Sequence, residues 1–233
     1  MNLRQGRVLR IGHRGAAALA PENSLAAIEA ALEVGVDLVE IDVVRDGDAL
    51  RVAHAPADLT ADSPTLGEAL EVVAGSPAGL LLDLKAVGAE REAVAAIRRA
   101  ALLERTAVCS FHARSVRALK EIEPSLTTGF SYPFDRVRLS TRRTAQPLIS
   151  AGLAGMRRLL PARIVGMLAR ARADAAMLHW ALVSPGLVHR CHARGAAVLA
   201  WTVEDEAVLR RVLAAGVDGV IADDPRLLGD IRA

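Results

Sequence analysis

Short apolar runs alternate with amphipathic stretches along the whole chain. The runs at residues 7–13, 37–44, 79–85, 107–111, 127–132, 175–180, 197–203 and 218–222 are rich in Val, Ile, Leu and Ala, and their length and flanking turn residues predict eight buried strands. Helical periodicity fills the gaps. Between residues 23 and 34, Leu25, Ile28 and Leu32 recur on one face behind Asn23 or Ser24 as the cap. Two helices end at glycine in matching phrases, EVGVDLVEID and AAGVDGVIAD, where Gly35 and Gly216 stop the helix before the next strand. One βα unit is reused.

Eight such units within 233 residues predict a single-domain α/β protein, a (β/α)8 TIM barrel over residues 1–233. An open doubly wound sheet rarely needs that many strands, and no GxGxxG turn follows the first one. Composition narrows the class further. Hydrophobic residues reach 52%, but much of this is alanine in segments that also carry Arg and Glu, so no transmembrane span is expected. The basic N-terminus lacks the apolar run of a leader, and the expected location is cytoplasmic. Cys109 and Cys191 fall in expected core segments and are read as free thiols. A net charge of +2 argues against nucleic acid as partner. Arginines gather between Arg136 and Arg172, interleaved with Leu, Ile and Met at helical spacing. That stretch reads as a solvated helix face, with transient lipid-surface contact as the alternative. It is also long enough to wall or cover one side of a barrel mouth.

Barrels of this kind place their chemistry at the C-terminal ends of the strands, and polar residues gather there. His13 and Arg14 end the first run. In LVEIDV of the second, Val39, Ile41 and Val43 point one way and Glu40 and Asp42 the other, their Cα atoms about 6.6 Å apart. Two carboxylates in a barrel mouth repel unless positive charge lies between them, and a hard divalent cation suits that gap. Asp83 and Lys85 end the third run, as an ion pair or as parts of the same site. His54 follows a strand-like return, LRVAH. His179, Trp180 and Trp201 end later runs and are candidates for a substrate pocket. His112, His189 and His192 lie in or beside helical patterns and are read as solvated or capping residues.

GHRG followed by PENS, then VEIDV, the histidine of LRVAH, LLLDLK, WTV and GVDGVIADDP together resemble the glycerophosphodiester phosphodiesterase family, from Ile11 to Pro225. The resemblance implies metal-dependent hydrolysis of a glycerophosphodiester to sn-glycerol 3-phosphate and an alcohol. It implies His13 and His54 as the general acid and base, Glu40, Asp42 and Asp83 as ligands of Mg²⁺, Ca²⁺ or Mn²⁺, and Arg14 and Lys85 as the phosphate grip. Two positions depart from the family pattern. Asp83 stands where glutamate is usual, and Ala55 follows His54 where aspartate is usual. A lysophospholipase D-type activity on lysolipids uses the same centre, and a barrel that binds phosphorylated ligands without turnover is a third reading. The short segment between His54 and Leu66 predicts a shallow mouth.

Overall fold

The computed structural model describes residues 1–134, 146–229 and 231. In chain order its elements are β1 (Leu9–Gly12), α1 (Leu25–Val34), β2 (Leu38–Asp46), β3 (Ala49–Val52), α2 (Leu66–Ala74), β4 (Gly79–Leu84), α3 (Glu90–Arg99), β5 (Thr106–Ser110), α4 (Ala113–Ile122), β6 (Thr127–Tyr132), α5 (Gln146–Ala171), β7 (Ala175–His179), α6 (Pro185–His192), β8 (Ala197–Trp201), α7 (Glu206–Ala214) and β9 (Gly219–Ala222). Each of the eight expected strands is present, shifted by a few residues at its ends. All eight run parallel, and a ninth, the hairpin strand β3, is antiparallel. The sheet closes because β1 pairs with β9 on one side and with β2 on the other.

The strands bury both faces, which is why their runs are nearly continuously apolar. Leu9, Ile11, Leu38, Leu81, Met177, Leu199 and Ile221 fill the barrel interior. The alternate positions Val39, Ile41, Val43, Leu80 and Leu82 pack outward with Ile28, Leu70 and Ile97 of the surrounding helices. β3 adds antiparallel to the far end of β2, with Val43 opposite Val52. This hairpin carries His54 back toward the mouth.

Three helices, α1, α3 and α4, span 10 residues each, whereas α5 spans 26. Leu160, Ile164, Leu168 and Ala171 of α5 are buried against the second half of the barrel. Between residues 152 and 159 its side chains are half-buried or exposed, with Leu153 and Met156 packed at the edge of the same cluster. This helix is the described part of the arginine-rich stretch 136–172, while Arg136, Arg142 and Arg143 lie outside the described residues. No helix among the described residues is long and apolar enough to cross a membrane. Both cysteines are free and buried.

Candidate active site

The turn after β1 is built to aim side chains inward. Arg14 and Asn23 both sit at positive φ, 50° and 59°, a conformation residues with a side chain seldom adopt. The turn is pinned by backbone bonds from Gly15 N to Glu40 O at 2.8 Å and from Asn23 N to Arg14 O at 3.0 Å. Ser24, not Asn23, caps α1 by accepting from Ala27 N. Asn23 instead grips Asp42: its Oδ1 accepts from the Asp42 backbone N–H at 3.0 Å and its Nδ2 donates to Asp42 Oδ2 at 3.1 Å. Gly15 has φ +84°, and an added Cβ would come within 2.4 Å of the Ala27 backbone. Gly15→Ala should therefore lower stability by about 2–4 kcal/mol through backbone strain and overlap, measurable by denaturant melting.

Glu40, Asp42 and Asp83 are all buried, and one oxygen of each lies within 4.8 Å of the others. Aspartate in place of glutamate at position 83 still closes the cluster. Asp83 Oδ1 is buried and accepts no hydrogen bond, an open acceptor in a set of oxygen donors. Such a set fits a hard divalent cation.

The surrounding cations divide the three carboxylates unequally. Lys85 Nζ stands 2.9 Å from Asp42 Oδ1 and 2.5 Å from Asp83 Oδ2, so Lys85 and Asp83 do pair, inside the site. Arg14 Nε lies 3.2 Å from Asp42 Oδ2 and its Nη1 donates to Glu22 at 2.6 Å. His54 Nδ1 is 3.1 Å from the same Asp42 oxygen. Burial opposes the charge of Asp42, but Lys85, His54 and Arg14 outweigh it and hold the carboxyl far below its usual range. Glu40 lacks such partners. Burial and the charges of Asp42 and Asp83 push it up to about 7 against the pull of His13 and the Arg14 backbone N–H. Asp83 also shifts upward, through burial first and Asp42 second, against the pull of Lys85.

His13 is oriented from behind. Its Nδ1 lies 2.5 Å from Asp223 Oδ1, and its Nε2 faces Glu40 Oε2 at 3.9 Å. The hydrogen bond with His13 lowers the pKa of Asp223, which favours a charged carboxylate against the ring. Burial works against a charged His13, yet Asp223 and Glu40 raise its pKa.

The strand ends divide the mouth into two halves. β9, β1, β2 and β4 supply Asp223, His13, Glu40, Asp42, Asp83 and Lys85. β5 to β8 lead into an aromatic group. Trp201 meets Phe111 edge to face at 6.0 Å and His179 at 5.3 Å. Phe134 lies 5.4 Å from Phe111, and Trp180 stacks on His179 at 5.5 Å. Burial lowers the pKa of His179, which favours a neutral ring there. The expected site residues thus gather at this mouth, with Trp180 at its margin, stacked on His179 but packed outward under Arg211; Asn23, Asp223, Phe111 and Phe134, which sequence reasoning did not select, join them. The position of Asp223 just past the last strand was a usable signal. Asn23 stood within the motif PENS, but its place before the helix read as an ordinary cap.

Acidic, basic and imidazole groups thus converge at the C-terminal mouth of a closed parallel barrel, where barrel enzymes place their chemistry. The model of the glycerophosphoryl diester phosphodiesterase family matches residues 13–54 and 82–227, and the chain belongs to that family. It is a phosphoric diester hydrolase by class. The chain is 26% identical to the glycerophosphodiester phosphodiesterase of Caldanaerobacter subterraneus subsp. tengcongensis, over 95% of this chain and 96% of that one. The protein named "Probable glycerophosphodiester phosphodiesterase 2" of Mycobacterium tuberculosis is 29% identical, over 98% and 92% of the two chains. The fold matches the Oleispira antarctica phosphodiesterase solved in complex with the product sn-glycerol-3-phosphate, with a TM-score of 0.74, 23% identity and 99% of each chain covered.

Proposed function

We propose that this chain hydrolyses glycerophosphodiesters to sn-glycerol 3-phosphate and an alcohol, with His13 and His54 exchanging protons and Glu40, Asp42 and Asp83 holding a divalent cation. The observation that carries this reading is the meeting of three buried carboxylates with two histidines at one barrel mouth. When bound, the cation adds positive charge beside the non-bridging phosphate oxygens. Arg14 and Lys85 supply the remainder and grip the phosphate.

A phosphodiester needs a proton removed from the attacking oxygen and another delivered to the departing alkoxide as one P–O bond forms and the other breaks. Both histidines engage a carboxylate through Nδ1, Asp223 for His13 and Asp42 for His54. Each therefore has Nε2 left for exchange with the substrate. Asp223 fixes the His13 ring and favours its protonated form. At His54, Asp42 supplies a carboxylate contact although Ala55 replaces the family's aspartate.

The test is release of glycerol 3-phosphate from glycerophosphocholine and glycerophosphoethanolamine by metal-stripped protein with Mg²⁺, Ca²⁺ or Mn²⁺ restored in turn. His13→Ala and His54→Ala should each lower kcat by about 10²-fold or more, and near-wild-type turnover in either would remove that histidine from the mechanism. The aromatic half of the mouth favours a second substrate class, lysophospholipids, because it offers an apolar surface beside the phosphate site. Comparing glycerophosphocholine with a long-chain lysophosphatidylcholine separates the two.

A further inference from the structure

The charge of this chain is sharply segregated. Positions 136–172 hold nine arginines and no Asp or Glu, while the rest of the chain holds 20 basic and 27 acidic residues. Within the described part, α5 contributes Arg157, Arg158, Arg163 and Arg170 and no carboxylate. Many basic side chains elsewhere have acidic partners, as in Arg7–Asp37, Arg45–Glu92, Arg98–Glu123 and Lys120–Asp174. Arg163 and Arg170 on α5, and Arg190 and Arg194 at α6, are exposed and have no carboxylate partner among the described residues.

These arginines border apolar ground. A groove of about 840 Å³ runs between α5 and α6, lined in part by Val165 with Arg190 and Arg194, and a second of about 570 Å³ lies on the other side of α5, lined in part by Leu159 and Met167 with Arg163 and Arg170. They meet at Ala162 and Gly166, where small side chains leave the helix surface low. Neither groove is lined by a carboxylate. Leu159 is 57% exposed, the most exposed large apolar side chain among the described residues. It borders the second groove, on the same helix face as Arg163 and Arg170, so apolar surface and uncompensated positive charge lie side by side.

We propose that the outer face of α5, with its two flanking grooves, docks onto an anionic phospholipid bilayer. The arginines attract the lipid phosphates, and Leu159 enters the apolar boundary below the headgroups. A second copy of the chain would bring like charges together at this face. Nucleic acid would use the arginines and leave Leu159 and the apolar grooves without purpose. Because Met156 of α5 lies beside the end of β6, with Tyr132 Oη donating to its Sδ at 3.4 Å, docking through this helix brings that side of the catalytic opening toward the lipid surface. Phe134 at 46% exposure and Val87 at 36% stand just beyond the ends of β6 and β4, on the same rim.

The experiment is co-sedimentation of the full chain with phosphatidylcholine vesicles and with vesicles containing 30 mol% phosphatidylglycerol (about one anionic lipid in three, to set a physiological surface potential), at low and high salt. It reads binding alone and stands whether or not the chain turns over glycerophosphodiesters. The anionic vesicles should bind the protein and release it as salt rises. Arg163→Glu/Arg170→Glu/Arg194→Glu should weaken binding about 10²-fold or more, at about 1 kcal/mol for each arginine. Leu159→Asp should weaken it about tenfold, and the milder Arg163→Gln/Arg170→Gln/Arg194→Gln should fall between wild type and the charge reversal. Circular dichroism melting establishes that each variant is folded. Absence of binding to anionic vesicles overturns the proposal, as does equal binding to neutral ones. Full binding by Leu159→Asp alongside loss in the arginine variants would also overturn it, assigning the surface to a soluble polyanion.

Discussion

Glu40→Ala/Asp42→Ala should reduce release of glycerol 3-phosphate by at least about 10³-fold, whichever divalent ion is supplied. The double variant removes two of the three buried carboxylates whose oxygens converge within 4.8 Å, leaving Asp83 as a single oxygen donor, too few for a hard cation to give up its water. It also removes the carboxylate against His54 Nδ1 and the acceptor of the Arg14 backbone N–H. Losing one preorganised electrostatic contact in a dry site costs 10²–10³ in rate, and here several go together. Metal titration of the wild type and the variant by calorimetry ties the loss to the ligands. Wild-type turnover that survives exhaustive chelation would break the connection between this cluster and the reaction.

Much of this centre was legible because a buried strand leaves few roles for a charged residue. Glu40 and Asp42 interrupt an apolar run with period two, and the alternation correctly sent Val39, Ile41 and Val43 outward to the helices and the carboxylates inward. His13 and Asp83 were readable from their places at the ends of successive strands. The pairings that tune them were not. Asp223 meets His13 across 210 positions of sequence, a contact that exists only because β9 closes the barrel against β1. Asp224, its neighbour, turns the other way to hold Arg226, and nothing in the run ADDP separates the two roles. Asn23 looked like a helix cap because capping and site support call for the same short polar side chain. Only its left-handed backbone turns it toward Asp42 and passes the cap to Ser24. The aromatic half was visible at His179 and Trp201, which end strands, but Phe134 lies two residues beyond β6 and joins the mouth through packing with Phe111.

Removing Asp42 and neutralising Glu40 should change the stability of the metal-free protein in opposite directions. Asp42 is 2% exposed and serves Lys85, Arg14 and His54 at once. Asp42→Ala leaves two largely buried cations short of a partner and should cost about 3–5 kcal/mol. Glu40 carries its charge among Asp42 and Asp83 with only His13 and a backbone N–H in its favour. Its carboxyl is shifted up to about 7 from an ordinary 4.5, so between those values the folded state binds a proton that the unfolded chain has released. Linkage then makes metal-free stability fall as pH rises through that window. Glu40→Gln keeps the shape, removes the charge and should abolish that part of the slope, making the variant more stable than wild type at pH 8 by on the order of 2 kcal/mol. A saturating divalent cation should reverse the order, because it stabilises the wild-type folded state and does so less in a variant lacking one ligand. Urea midpoints at pH 5 and pH 8, with chelator and with metal, measure all four terms. A Glu40→Gln protein with wild-type pH dependence in chelator would show that the repulsion among these carboxylates is already relieved in the folded chain, and the electrostatic case for a cation between them would fall with it.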